Sequence, residues 1–402
     1  MTGPGLRRSL TLPWLVFYGV GVTIGAGIFA LIGEVFAMSG DHIVYAFLLA
    51  GLVAGVTGYS YVLLAGVYPK AAGEAVFVKL GMGALAGRVT GYLVIAVAVT
   101  SAAVIALAFA RYLQSIFPVP EGCGLVSVVV LLGLIAMAGV RESVAFAAVI
   151  TVLEVGTLLV VAGVGFPNLM AANALPSVLA PPLSIAAWSG VTAGAFLAFF
   201  AFIGFEDIEN MAEETRDPER NVPLAIILTL FISVLLYVLL AVVLASMPNR
   251  GALAVSKAPI AELFATATGR SGTIVAVMAA IAMINGVLVQ IIMASRVIYG
   301  MSREQLLPEF LGRVHAVRQT PVIATTLVSI AVLILGLAVP LRPLAELTSL
   351  AMLLVFAAVN LSLYLIGRSP SAAPILRRWR YWGLVGAAIA LSLVAAQSVA
   401  QH

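Results

Sequence analysis

The sequence has little of what enzymes and soluble domains are built from. Cys123 is its single cysteine, which excludes an internal disulfide framework and any Cys-x-x-Cys metal site. The three histidines, His42, His315 and His402, do not cluster, and no metal site is read from them. Charged residues make up 9% of the chain, against about a quarter in a soluble domain. No acidic or basic block suggests nucleic acid. No Gly-x-x-x-x-Gly-Lys-Ser/Thr stretch occurs, so ATP does not power the protein directly. No nucleophile–base pair is visible, so an enzyme is not expected, nor a cofactor. What remains is apolar: 62% of residues are hydrophobic and the mean hydropathy is +1.15. A water-soluble core could not hide that much apolar surface. The chain reads as an all-α integral membrane protein.

Eleven apolar runs approach the roughly 20 residues that a bilayer crossing needs. They lie near 11–37, 43–67, 84–116, 124–140, 144–166, 184–209, 222–247, 271–299, 321–340, 344–367 and 381–399. Prolines, among them Pro69, Pro118, Pro167, Pro223 and Pro321, fall at or just outside run ends. The first run follows Arg7 and Arg8. It is too long for a signal-peptide core and ends in no cleavage site, so it reads as a retained helix. Cationic residues test the count. With the N-terminus in the cytoplasm, Arg111, Arg250, Lys257, Arg270 and Arg342 fall outside, and the other 16 of the 21 Lys and Arg fall inside. That asymmetry is expected of a correct topology. An odd number of spans puts the C-terminus on the periplasmic or extracellular side.

Two runs are unusual. The first contains Gly19, Gly21, Gly25 and Gly27 within nine residues. Glycine is costly inside a helix and cheap wherever the backbone leaves helical geometry. A break at membrane depth frees N–H and C=O groups that lipid cannot satisfy, so a substrate or ion could take them up. Close helix packing is the ordinary alternative. The sixth run passes from Phe199-Phe200-Ala201-Phe202-Ile203-Gly204 straight into Phe205-Glu206-Asp207-Ile208-Glu209. Carboxylates that deep face protein or water, unless the span simply ends near Gly204. Interruptions at corresponding places in two halves point to an inverted-repeat transporter. One transmembrane domain is therefore expected, with a first five-helix repeat over 1–166, a second over 184–367 and an additional helix at 381–399. Half-helix N-termini at a break suit an anionic group and half-helix C-termini a cationic one. A site with both suits a zwitterion such as an amino acid.

Four motifs carry a family resemblance. Gly25-Ala26-Gly27-Ile28-Phe29 resembles the Gly-x-Gly-Ile-Phe motif of the amino acid–polyamine–organocation (APC) superfamily, and Phe202-Ile203-Gly204-Phe205-Glu206 resembles its sixth-span signature. Ala212-Glu213-Glu214 through Pro218, Arg220 and Pro223 is similar to the loop that follows in the family. Arg296-Val297-Ile298-Tyr299-Gly300-Met301-Ser302-Arg303 with Leu307-Pro308 is similar to the end of its eighth span. The resemblance covers nearly the whole chain and is greatest to bacterial amino acid permeases of the cytoplasmic (inner) membrane. It implies a LeuT-type five-plus-five inverted repeat with discontinuous helices 1 and 6. The family usually has twelve spans, and this sequence yields eleven.

The resemblance also implies roles. Backbone amides of Gly25, Ala26 and Gly27 would hold the substrate carboxylate. Carbonyls of Thr23 or Ile24, and of Phe200, Ala201 or Ile203, would hold its ammonium group. Phe200 and Phe202 are candidate gates, with packing as the alternative for each. The residues beside both breaks are mostly apolar, which favours a neutral amino acid. Glu206 could instead favour a cationic amino acid or a polyamine.

Glu154 is the sharpest single residue. It lies about eleven residues into the fifth span, so about 16 Å deep. Many relatives carry a lysine at what looks like this position, and this chain has no lysine in any span. A carboxyl there can carry a proton, bind sodium with first-span carbonyls and a hydroxyl such as Ser295, or serve structurally. Asn285 is a further polar candidate at depth. The loop from Ala212 to Pro223 is expected to be an ion-paired hinge. Together these features predict a secondary active amino acid transporter working by alternating access, through proton-coupled symport or exchange. A transporter of polyamines or cationic amines and a sensor that binds without transporting are the alternatives. The oligomeric state is not legible.

Overall fold

The computed structural model describes residues 10–69, 73–139, 144–171, 173–248, 250–303, 307–315 and 318–400. Arg7, Arg8, Lys70 and Arg141, which enter the charge count above, lie outside the described residues. The described chain is helical, with one isolated backbone bridge and no strand. Long apolar runs take this form because an intrasegment ladder satisfies every backbone group without water.

The helices run in the order α1 (Leu12–Ser39), α2 (Ile43–Val67), α3 (Gly73–Met82), α4 (Ala84–Ile116), α5 (Glu121–Ala138), α6 (Val144–Ala171), α7 (Leu175–Val178) and α8 (Ile185–Ala198). They continue as α9 (Pro218–Ala245), α10 (Arg250–Val255), α11 (Pro259–Thr268), α12 (Thr273–Arg303), α13 (Val322–Ala338), α14 (Leu341–Gly367) and α15 (Pro374–Ala400). Among the described residues, nine stretches are long and apolar enough to cross a membrane. Two shorter apolar helices, Leu12–Gly25 and Val322–Ala338, accompany them. This differs from the eleven expected runs for local reasons. The start of α1 is cut short at Gly25, and its continuation joins α2 in one apolar stretch, Gly27–Val67. Pro167, expected at a span end, sits inside α6, which runs on to Ala171. The connections expected at 68–83, 167–183 and 248–270 contain α3, α7, α10 and α11.

The broken parts of α1 and of the sixth run lie at the centre. α1 packs against α6, α8, α9 and α12, and α4 packs against α12 and α14. Polar side chains join helices that are far apart in sequence. The Asn360 amide on α14 donates to Thr57 Oγ1 at 2.9 Å and accepts from Ser60 Oγ at 2.6 Å, both on α2. The Thr348 hydroxyl donates to Thr100 Oγ1 on α4 at 2.7 Å. Such bonds hold membrane helices in register where apolar contact alone discriminates little from lipid.

Candidate functional site

Each break turns on a glycine. Within α1, Gly25 leaves helical geometry at φ 0° and ψ −122°. In the sixth run, α8 stops at Ala198 and a 3₁₀ turn carries Phe199–Phe202. Ile203 is extended, with φ −65° and ψ 134°, and Gly204 has φ 122°, a conformation that favours glycine. A second 3₁₀ segment, Phe205–Glu214, follows. The Gly204 N–H freed by the break donates to Glu206 Oε2 at 2.9 Å. Glu206, expected at depth, is buried and caps its own break.

The two breaks pass against each other with no room for a side chain at Gly27 or Gly204, while a Cβ at Gly25 would meet nothing within 4 Å. A Cβ at Gly27 would lie 2.7 Å from Ala201 Cα, and one at Gly204 would lie 2.9 Å from Val22 Cγ1. The buried Tyr237 hydroxyl on α9 spans the crossing. It lies 2.7 Å from the Ala201 carbonyl and 3.0 Å from the Thr23 carbonyl, so its single proton can be donated to, or shared between, one acceptor from each break. Each carbonyl keeps a lone pair for a further donor.

A narrow, partly open cavity lies beside the crossing. Thr23, Gly25, Gly27, Phe200 and Ile203 line it, with Ser101 of α4 and Asn285 and Gln290 of α12. The Thr23 and Ser101 hydroxyls are buried without a hydrogen-bond partner. No charged side chain is in the lining. The remaining expected residues fall beside it. Ala201 is at the crossing, and Ala26 lies in the chain between the lining Gly25 and Gly27. Ile24 is fully buried away from the lining. Phe202 stands edge-on to Tyr237, with ring centroids 5.0 Å apart, and is not in the lining.

Glu154 is buried on α6, and neither carboxyl oxygen has a hydrogen-bond partner. Thr151, one turn earlier, donates to the Phe17 carbonyl at 3.1 Å, so this face of α6 is turned to α1. Ser295 is not brought to Glu154 by a hydrogen bond: its Oγ donates to Ile292 O at 2.8 Å within α12.

Residues 10–401 match the family model described as amino acid permease. The chain belongs to the amino acid permease family. The permease is 29% identical over 396 residues to "Cationic amino acid transporter 2, vacuolar" of Arabidopsis thaliana, covering 92% of this chain and 61% of the relative. It is 28% identical over 384 residues to "Branched-chain amino acid permease BcaP" of Lactococcus lactis, covering 90% and 82%. It is 31% identical over 365 residues to an uncharacterized transporter of Mycobacterium tuberculosis, covering 90% and 81%. The chain thus spans less than two thirds of the plant relative and about four fifths of the bacterial ones. These relatives are named as permeases and transporters, which assigns the chain to transport and not to enzyme chemistry.

A second group of carboxyls surrounds Tyr61 of α2. The Tyr61 hydroxyl donates to Glu74 Oε1 of α3 at 3.4 Å. Glu206, Asp207 and Glu209 lie on the second 3₁₀ segment, which packs against α3, and both oxygens of the buried Glu209 lack a hydrogen-bond partner. Burial raises the Glu74 carboxyl above its ordinary value of 4.5, and the hydrogen bonds from its backbone and Tyr61 oppose that shift. The loop expected to be an ion-paired hinge is built otherwise. The ion pairs found among the described residues are Arg111 with Glu34 and Glu121, Arg250 with Asp41, and Arg342 with Glu346. The loop is held instead by backbone. The Leu10 N–H donates to Glu214 O at 3.0 Å and the Arg216 N–H to Leu10 O at 2.8 Å, which ties the start of the described chain to the end of the second 3₁₀ segment.

Sequence reasoning missed Tyr237, Ser101 and Glu74. Tyr237 and Ser101 are ordinary residues of apolar helices whose partners are distant in sequence, and no local pattern marks them.

Proposed function

We propose that this permease is a secondary active transporter of neutral amino acids in the bacterial cytoplasmic membrane. It works by alternating access, with the two breaks as hinges, and takes up or exchanges its substrate with proton coupling through Glu154. Spans one to five and six to ten form a five-plus-five inverted repeat, α15 is the additional helix, and the N-terminus faces the cytoplasm. The observation that carries the reading is Glu154: a buried carboxyl with no hydrogen-bond partner, one turn from the Thr151 hydroxyl that bonds the Phe17 carbonyl of the broken α1. A carboxyl in that setting can load and release a proton as the crossing opens.

The neutral substrate class is supported by a cavity whose polar lining consists of hydroxyls, carboxamides and backbone. A cationic side chain would meet no carboxylate in that lining. The named substrates of the relatives, cationic for the Arabidopsis protein and branched-chain for the Lactococcus protein, bracket the choice. Thr23 and Ser101 hydroxyls and the carboxamides of Asn285 and Gln290 favour a small or polar side chain.

Counterflow in proteoliposomes tests the reading. Vesicles preloaded with a mixture of unlabelled amino acids are expected to accumulate labelled neutral ones. Accumulation of lysine or a polyamine alone would move the substrate class to cations. Binding without accumulation, in folded protein, would favour a sensor.

A further inference from the structure

An apolar groove runs between α2 and α15. Tyr59, Trp379 and Trp382 form one wall, and Gly51, Leu52 and Gly55 continue it along α2. A side chain at Gly55 would point into open space, so the groove floor is vacant where a larger residue would fill it. The wall is fixed before anything binds. The Trp382 indole N–H donates to the Val56 carbonyl at 2.9 Å. Tyr59 stands edge-on to Trp379 and Trp382, at centroid distances of 5.5 and 5.2 Å. From Gly51 to Tyr59 the groove follows about 12 Å of helix, close to the half-thickness of a hydrocarbon core of about 30 Å. That length suits one acyl chain of a single leaflet.

The charge lies at one end only. Arg377 and Arg378 are exposed at the start of α15, beside Trp379, and make no ion pair among the described residues. α15 contains no Asp or Glu. Arg378 precedes Trp382 by four residues and therefore shares its helix face. Aromatic rings with arginines beside them are what a helix presents at headgroup level. Guanidinium groups bind phosphate through paired N–H donors.

We infer that the α2–α15 groove is a binding site for an anionic phospholipid, with one acyl chain against Gly55 and the Tyr59–Trp379–Trp382 wall and its phosphate on Arg377 and Arg378. The match of an apolar length of one leaflet with unpaired cations at its end carries the assignment. A two-fold pairing of α15 with α15 of a second copy would bring both arginines to a helix with no acid to meet them.

Native mass spectrometry of the full chain, with phosphatidylglycerol or phosphatidylcholine of identical acyl chains added in detergent, tests this. Wild type is expected to retain one phosphatidylglycerol and to release phosphatidylcholine. Replacing both arginines, Arg377→Ala with Arg378→Ala, should weaken phosphatidylglycerol retention about 25-fold, as two basic groups near an anionic headgroup predict. The Lys pair at the same positions should restore most of it. Gly55→Leu should displace the lipid by filling the groove. Equal retention of both lipids, or retention unchanged in the arginine double variant, overturns the proposal. So does a dimer without bound lipid that Gly55→Leu dissociates, since a second copy would then cover the groove.

Discussion

The Tyr237 hydroxyl lies 2.7 Å from the carbonyl oxygen of Ala201, and its other neighbour is the carbonyl of Thr23 at 3.0 Å. One side chain of α9 therefore touches the freed backbone of both breaks. Tyr237→Phe keeps the ring against Phe47 and Phe202 and removes only the donor. A buried acceptor left without its donor costs about 1–3 kcal/mol. The variant should fold, melt a few degrees lower and lose most counterflow activity. Unchanged counterflow in Tyr237→Phe would show that the bond is incidental to transport.

Glu154→Gln should separate driving force from exchange. A glutamine fills the same volume without a titrating proton. Accumulation driven by an imposed proton gradient is expected to vanish, while exchange of labelled for unlabelled substrate across equal pH persists. If both are lost equally in folded protein, Glu154 is structural.

Gly27→Ala tests the crossing. The added Cβ would meet the backbone of Ala201 at 2.7 Å, where neither chain can give without moving the break. Transport should fall sharply. Gly163→Ala on α6 is the control, since a Cβ there meets nothing within 4 Å. It should leave transport intact and raise stability by up to about 1 kcal/mol.

The Glu74 carboxyl predicts a pH dependence of stability. Its folded-state value is raised above 4.5 by burial, so the folded protein binds this proton more tightly than the unfolded chain does. Its contribution is most favourable below about pH 4.5 and is lost as pH rises through the folded value. Glu74→Gln should flatten that part of the melting profile and melt about 1–3 °C higher than wild type at pH 7. A wild-type profile that rises with pH over this window, and loses that rise in Glu74→Gln, would contradict the sign.

Much of this site was legible because glycine signals a local event. Gly25 and Gly204 stand in apolar runs where a bilayer crossing has no use for them; Gly25 is where α1 leaves helical geometry, and Gly204, at φ 122°, links the extended Ile203 to the second 3₁₀ segment. The charged loop after the sixth run shows, among the described residues, a backbone tie that its sequence does not announce. Alternating Arg and Glu look paired on paper, but what holds that loop is the backbone of Leu10, whose identity carries no trace of its partner. Tyr237 was invisible because its two acceptors are 36 and 214 residues away. An aromatic inside Leu236-Tyr237-Val238 looks like any other membrane residue. Glu74 lay in a stretch read as a connection, and only the fold of α3 brings it to Tyr61.

The Leu10–Thr215 bridge makes the two broken helices a single linkage. Leu10 leads directly into the first half of α1, and Thr215 closes the segment that continues the sixth run. Pulling on one end hauls the other, as with two oars lashed at the grip. At this end of the molecule two backbone hydrogen bonds stitch the halves together, so a displacement of either is expected to be felt by the other.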